Sequence, residues 1–396
     1  MIKQLRFAFA VTGVAVGLFA SSGAANATTC PSAIGQYNSC SGTPAQIASC
    51  QDQIRGYHPE CFGSSGNTAA GAKAVQATSL EQILAISANV SNRTSGASAP
   101  PGLADSGERK GLAAGNGGGK WNVWASIAEA TNKYDRGSFN FSSFATSTDL
   151  ATDVRENKFD TRIQNLVIGG DYQWAPNLAV GFSAAFDSGR GSATSNKLVG
   201  AGASADPAKS VSSEGASYAP YLGWQINKDW ALDATVGWGS GKNTIAGAVT
   251  TDSKRFFYGT NVGYTNWLGN WQLTGKGGYL FGQENSDDSK NNGTTMANTK
   301  ASNKIGQFRL AGQAAYWMNG VMPYFGLAYV SDQRSTSASS QQQFSTEMGK
   351  NAWVWSLGAN FISIKSAMTG GIGYEQETAR DRSKNSKLMA NINFRF

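Results

Sequence analysis

The sequence predicts an all-β fold, a transmembrane antiparallel up-and-down barrel of about 12 strands, preceded by a short Cys-containing segment, a helix and a flexible linker. Three observations predict it. From Trp121 onward, apolar positions alternate with small or polar ones, as a strand requires when one side meets lipid and the other a wet lumen. The connections between these segments alternate between short and long. After the first 27 residues no long uncharged apolar run occurs, which excludes a helical membrane protein. The composition agrees: 48 Gly, 11% aromatic residues and 15% charged residues in a chain of 396, where a soluble domain carries about a quarter charged. Mean hydropathy is -0.31, a polar average that results when lipid-facing and lumen-facing positions cancel.

Met1 to Ala27 reads as a secretory signal peptide. Lys3 and Arg6 form its basic start, Phe7 to Ala20 its apolar run, and Ala25-Asn26-Ala27 a small-x-small cleavage site. Residues 28–76 form the Cys-containing segment. Cys30, Cys40, Cys50 and Cys61 are the chain's only cysteines and are almost evenly spaced. In an oxidising compartment they form two disulfides, with three pairings open. Zinc is the rival reading, but the close C-x-x-C pairs of common zinc sites are missing and His58 is the only histidine.

Residues 77–93 read as an amphipathic helix, opened by a capping box at Thr78-Ser79-Leu80-Glu81-Gln82, with Leu80, Ile83, Leu84 and Val90 at helical spacing. It either enters the pore or lies on another surface. Residues 94–119 are rich in Gly, Ala, Ser and Pro and read as a flexible linker.

Residues 120–396 are the barrel. Strands are read to begin near Trp121, Ile163, Leu178, Ser212, Trp230, Arg255, Trp271, Lys304, Met322, Asn351, Lys365 and Lys387. The face of the Trp121 and Met322 strands is ambiguous. Elsewhere the alternation is clean, as where Leu178, Val180, Phe182, Ala184 and Phe186 oppose Gly181, Ser183 and Asp187. Trp174, Trp230, Trp238, Trp267, Trp271 and Trp353 sit at strand ends and are read as an aromatic girdle at the membrane interfaces. Asp171, Asp233, Lys276, Arg309 and Glu375 are read as lumen-facing charges. Short turns fall at 175–177, 227–229, 268–270, 319–320 and near Ser363, and long polar loops at about 131–162, 189–211, 241–253, 284–303 and 333–350. Outer-membrane barrels carry short periplasmic turns and longer external loops, which places both barrel ends on the periplasmic side.

The last strand puts Leu388, Ala390, Ile392, Phe394 and Phe396 on one face. It resembles the terminal strand of bacterial outer-membrane barrels, whose final Phe closes the signal read by the barrel-assembly machinery. The stretch Ile168 to Asp187, IGGDYQWAPNLAVGFSAAFD, resembles the second and third strands of the autotransporter β-domain, and WNVWASI at Trp121 is similar to its start. The resemblance implies a twelve-stranded translocator of type V secretion, which helps its own N-terminal passenger across the outer membrane. This chain departs from that pattern in its short pre-barrel region and in its four cysteines.

Catalytic chemistry is not indicated. His58 lies outside the barrel, which removes a Ser-His mechanism from it. No GxSxG elbow, P-loop or HExxH motif occurs. The paired carboxylates Asp287-Asp288, and Asp149 with Asp153, read as solvated loop residues. No catalytic, cofactor or metal site is expected, and the chain is not read as an enzyme. The formal net charge of +7 is diffuse, so no nucleic-acid partner is expected. Two functional readings remain: a barrel that anchors, and translocates or displays, its own N-terminal segment at the surface of a Gram-negative cell; or a free-standing channel or adhesin using its long external loops. The partners expected are outer-membrane lipid and lipopolysaccharide, the assembly machinery and a host surface, for a monomeric barrel. Non-reducing mass spectrometry of the mature protein is expected to give a mass four protons below that of the reduced chain, and four free thiols would end the disulfide reading.

Overall fold

The computed structural model describes residues 83–88, 120–135, 155–197, 208–245, 249–295, 300–338, 349–363 and 367–396. The expected signal peptide, Cys30, Cys40, Cys50, Cys61, the expected linker 94–119 and all of the expected helix except 83–88 lie outside the described residues. Twelve long strands are present among the described residues: β1 (Trp121–Asp135), β2 (Arg155–Ala175), β3 (Leu178–Lys197), β4 (Lys209–Gln225), β5 (Trp230–Ile245), β6 (Val249–Leu268), β7 (Trp271–Ser286), β8 (Ala301–Tyr316), β9 (Val321–Ala338), β10 (Asn351–Ser363), β11 (Met368–Thr378) and β12 (Ser383–Arg395). Each pairs antiparallel with its neighbours in sequence. A minor ladder, Lys290–Asn291 with Thr294–Thr295, extends the sheet at β6.

The sheet closes on itself. β12 pairs with β1 from Asn122↔Arg395 to Tyr134↔Ser383, and Trp121 and Phe396 exchange backbone hydrogen bonds of 3.1 and 3.0 Å. In lipid an unpaired edge has no water to satisfy it, so closure is what makes the sheet viable there.

Side chains alternate between the two faces. Leu166, Ile168, Val180, Phe182, Phe186, Leu222, Val236, Leu310, Phe325, Leu357, Ile372 and Leu388 are exposed on the outside, while their neighbours in sequence, most of them small or polar, turn inward. The described outer surface is thus apolar, the reverse of a soluble protein, and fits a lipid-facing wall. Trp121 faces out and Trp124 in; Val321 faces out and Met322 in. This settles the two strands whose face the sequence left open.

The connections at one end are the short ones, 176–177, 226–229, 269–270, 317–320 and 364–367. At Asn319-Gly320 both residues have positive φ, 50° and 98°. That is the two-residue turn whose twist matches the flanking strands. The opposite end carries 136–154, 198–208, 246–248, 287–300, 339–350 and 379–382. These are shorter than the sequence suggested. β2 begins at Arg155 rather than near Ile163, β3 runs on to Lys197, and β5 and β6 are separated by three residues only. The strands project past the apolar band, where the outward positions turn polar, so the two-residue hydrophobic period that betrays a strand disappears while the backbone ladder continues.

Several inward rings occupy space that only glycine leaves open. Phe257 of β6 lies over Gly237 of β5, Tyr221 over Gly181 and Trp124 over Gly169, and a β-carbon on any of these glycines would overlap the ring. Gly237→Val is expected to lower the stability of the detergent-folded protein by about 1–3 kcal/mol, measured as the urea midpoint of heat-modifiable migration. Gly275→Ala, which meets open space, is expected to leave the midpoint unchanged.

Candidate functional site: the lumen and its helix

Residues 83–88 form a helix inside the barrel. Ile83 and Ile86 are almost fully buried and join Trp124, Val167, Ala185, Ala219, Tyr221, Phe257 and Leu280 in one apolar cluster, with Leu84 packed against it. These barrel residues come from β1 to β4, β6 and β7. Two inward glycines make room for the helix. The Ile83 side chain would come within 3.1 Å of a β-carbon at Gly282, and the Ser87 hydroxyl within 3.0 Å of one at Gly259. Gly282 is opposite Phe257, and Gly259 is opposite Leu280, one inward step nearer the short-turn end. The helix therefore runs from the long-loop mouth towards the short turns.

The polar side of the lumen lies across from this saddle. A cavity of about 220 Å³ separates Leu84 and Ser87 from Lys276, Arg309, Glu375 and Lys387. The cavity is polar-walled and has room for several ordered waters. Asp171, Asp233, Lys276, Arg309 and Glu375 all sit at inward positions of their strands. Asp171 accepts from the Tyr221 hydroxyl at 2.9 Å and from Asn122 Nδ2 at 3.1 Å, and Tyr221 in turn accepts from Trp124 Nε1 at 2.7 Å. Asn261 donates to Asp233 at 2.6 Å. Arg309 Nη2 lies 3.2 Å from Glu375 Oε1, and Lys276 shares the cavity wall with both.

Two buried charge clusters were not singled out in the sequence. Arg255 lies 3.0 Å from Asp187 and 3.5 Å from Glu284, and Ser253 donates to the same Glu284 at 2.5 Å. Nearer the long-loop mouth, Asp332 accepts from Gln307 at 2.8 Å, Arg334 at 2.6 Å and Arg380 at 2.7 Å. Arg380 also reaches Glu377 and the Gly349 carbonyl, each at 2.8 Å, tying the β11–β12 connection to the start of β10. Burial alone would lower the Arg380 pKa. Attraction to Asp332 and the bond to Glu377 outweigh burial and hold it above the usual arginine value, so this clasp is charged at any working pH. The available signal was parity: Arg255 stands at an odd position and Asp332 at an even one, on strands whose odd–even alternation, set by the outward Phe256 and Tyr258 and by Phe325 and Leu327, puts them inward.

On the outside, Trp174, Trp238, Trp271 and Trp353 are exposed, and Trp230 faces out against Tyr264. Trp230 and Trp238 are eight residues apart on β5. At ~3.3 Å per residue and ~40° tilt they stand about 20 Å apart along the barrel axis, close to the height of an apolar band. Trp267 does not belong to this set. The even positions of β6 (Phe256, Tyr258, Val262, Tyr264, Leu268) face out, so Trp267 faces in and packs against Ala315, Trp317, Met322 and Ile362. In the terminal strand Leu388, Ile392, Phe394 and Phe396 are exposed on the outer face, and Ala390 shares that face.

A family model for the autotransporter beta-domain matches residues 139–375, from the β1–β2 connection into β11. Among solved structures, the chain is similar to the translocator domain of autotransporter NalP from Neisseria meningitidis, with 13% identity and a TM-score of 0.50 over 70% of this chain and 89% of that one. The transport unit of the autotransporter AIDA-I from Escherichia coli matches with 12% identity and a TM-score of 0.48 over 80% of this chain and 99% of that one. At these identities the likeness concerns the fold alone. No curated protein matches the chain.

If the Ile83 and Ile86 side chains hold the helix in the lumen, Ile83→Asp should expel it, because an unpaired carboxylate in an apolar saddle is strongly disfavoured. Single-channel conductance in planar bilayers is expected to rise over that of the wild type; equal conductance would show that the helix does not obstruct the lumen.

Proposed function

Because the chain belongs to the autotransporter β-domain family, we propose that it anchors in the outer membrane of a Gram-negative cell, with the long-loop end outward, and displays its own short N-terminal segment at the surface. The direction of the lumen helix carries this reading. Its start points to the long-loop mouth, the side on which this reading puts the Cys-containing segment 28–76. The chain that follows Ala88 returns to Lys120 at the short-turn end, and 31 residues, from 89 to 119, are available for the descent. At ~3.3 Å per extended residue they reach far more than the height of the wall.

The barrel wall meets lipid, the terminal strand supplies the residues that the assembly machinery would read, and the loops at the outer end are the part available to a host surface. In this reading segment 28–76 crosses before its disulfides close. The reading is one of transport and display rather than catalysis.

Protease added to intact cells tests it. Cleavage within 28–76 without permeabilising the outer membrane is the expected outcome. Cleavage only after permeabilisation would leave the segment in the periplasm and favour a free-standing channel or adhesin that works through its external loops.

A further inference from the structure

Charge is distributed unevenly over the outer surface near the long-loop end. Across β9 to β11 the described outward positions there, among them Tyr329, Ser331, Gln333, Asn351, Trp353, Tyr374, Gln376 and Thr378, carry no charge. Around the closing seam the pattern changes. Arg162 of β2 is directly opposite Arg190 of β3, and Lys133 of β1 is directly opposite Lys384 of β12. All four are exposed. Like charges directly opposite each other on a sheet are destabilising, so two such pairs within four adjacent strands need an explanation.

Carboxylates offset only half of this charge. Arg162 lies 3.4 Å from Glu129, and Lys133 3.5 Å from Asp160. Arg190 and Lys384 have no carboxylate partner among the described residues. Among the described side chains Lys158 of β2 adds a fifth cation and Glu214 of β4, diagonal to Arg190, a third anion, so the rim keeps a net positive charge.

The height of the rim identifies what it faces. The last lipid-facing apolar pair on these strands is Leu166 opposite Phe186, and Arg162 and Arg190 lie four residues further along. At ~3.3 Å per residue and ~40° tilt this is about 10 Å above the apolar wall. The side chains there point sideways into the headgroup layer rather than up into solvent. Long basic side chains at that level pair with phosphate, with arginine suited to two-pronged contact and lysine acting as a point charge.

We propose that this seam rim is a binding site for the phosphate groups of lipopolysaccharide, the phosphorylated glycolipid of the outer leaflet. Arg162 with Arg190 takes one phosphate, and Lys133 with Lys384 a second. The bound lipid neutralises the two like-charge pairs and so braces the strands on either side of the β1–β12 closure. The proposal rests on the outer-membrane reading given above.

The test uses the full-length protein refolded in detergent, with the thermal midpoint of heat-modifiable migration as readout. Rough-type lipopolysaccharide is expected to raise the midpoint of the wild type. The same lipopolysaccharide with its phosphates removed, and inorganic phosphate alone, are expected to leave it unchanged. The double variant Arg190→Gln, Lys384→Gln is expected to fold normally without the lipid and to lose at least half of the rise, whereas Arg190→Lys keeps most of it. An equal rise in the double variant, or with the dephosphorylated lipid, would overturn the site while leaving the barrel reading intact. A rise with inorganic phosphate alone would replace it with a free-anion site. Failure to obtain any heat-modifiable barrel would take down the outer-membrane reading and this inference with it.

Discussion

Closure of the backbone hydrogen-bond ladder is the constraint on which everything else in this molecule rests. A strand in hydrocarbon has no water to satisfy a free N–H or C=O, so the first strand must find the last. β1 and β12 do so along almost their whole length. Once the ladder is closed, each side chain has two destinations only, outward to lipid or inward to the lumen. The apolar wall, the aromatic rings at its edges and the polar interior follow from that division.

The lumen is itself divided. Along β1 to β7 it offers an apolar saddle with two glycine notches that receive the helix at 83–88. Towards β8 to β12 it is charged and wet, with Arg309, Glu375, Lys276 and Lys387 around a cavity. The polar half is solvated without the helix, whereas the apolar half is covered by it. Burying two isoleucines is worth a few kcal/mol at about 25 cal/mol per Å², enough to keep a short helix in place. The buried clusters around Arg255 and Asp332 stiffen the walls on either side, because breaking either would strand a charge away from water.

Much of this could be read from the residues, for a physical reason. Lipid imposes a strict period of two on the outer face, so the strands through Leu178 to Phe186 and Trp230 to Trp238 announced themselves. The pattern failed wherever lipid stops enforcing it. Arg155 to Arg162 and Gly189 to Lys197 are strand, yet they stand above the hydrocarbon, and the polar residues at their outward positions made them look like loops. Trp267 was misplaced because an indole at a strand end is welcome on either side; only its odd position on β6 tells that it caps the lumen. Phe257, between the outward Phe256 and Tyr258, is the residue that reveals the saddle. In a run of three aromatics the sequence offers no cue that the middle one serves a different partner. The clusters of Arg255 and Asp332 join side chains from strands far apart in the chain, and no local spacing records such a meeting.

The seam between Trp121 and Phe396 also acts as a form of proofreading. Its two halves are the earliest and the latest parts of the barrel to leave the ribosome, and no intermediate pairing can substitute for it. A chain that terminates early, even by one strand, presents two raw edges instead of none. Presence of the last strand is thereby converted into a property of shape: only a sheet that holds both β1 and β12 has no edge to expose.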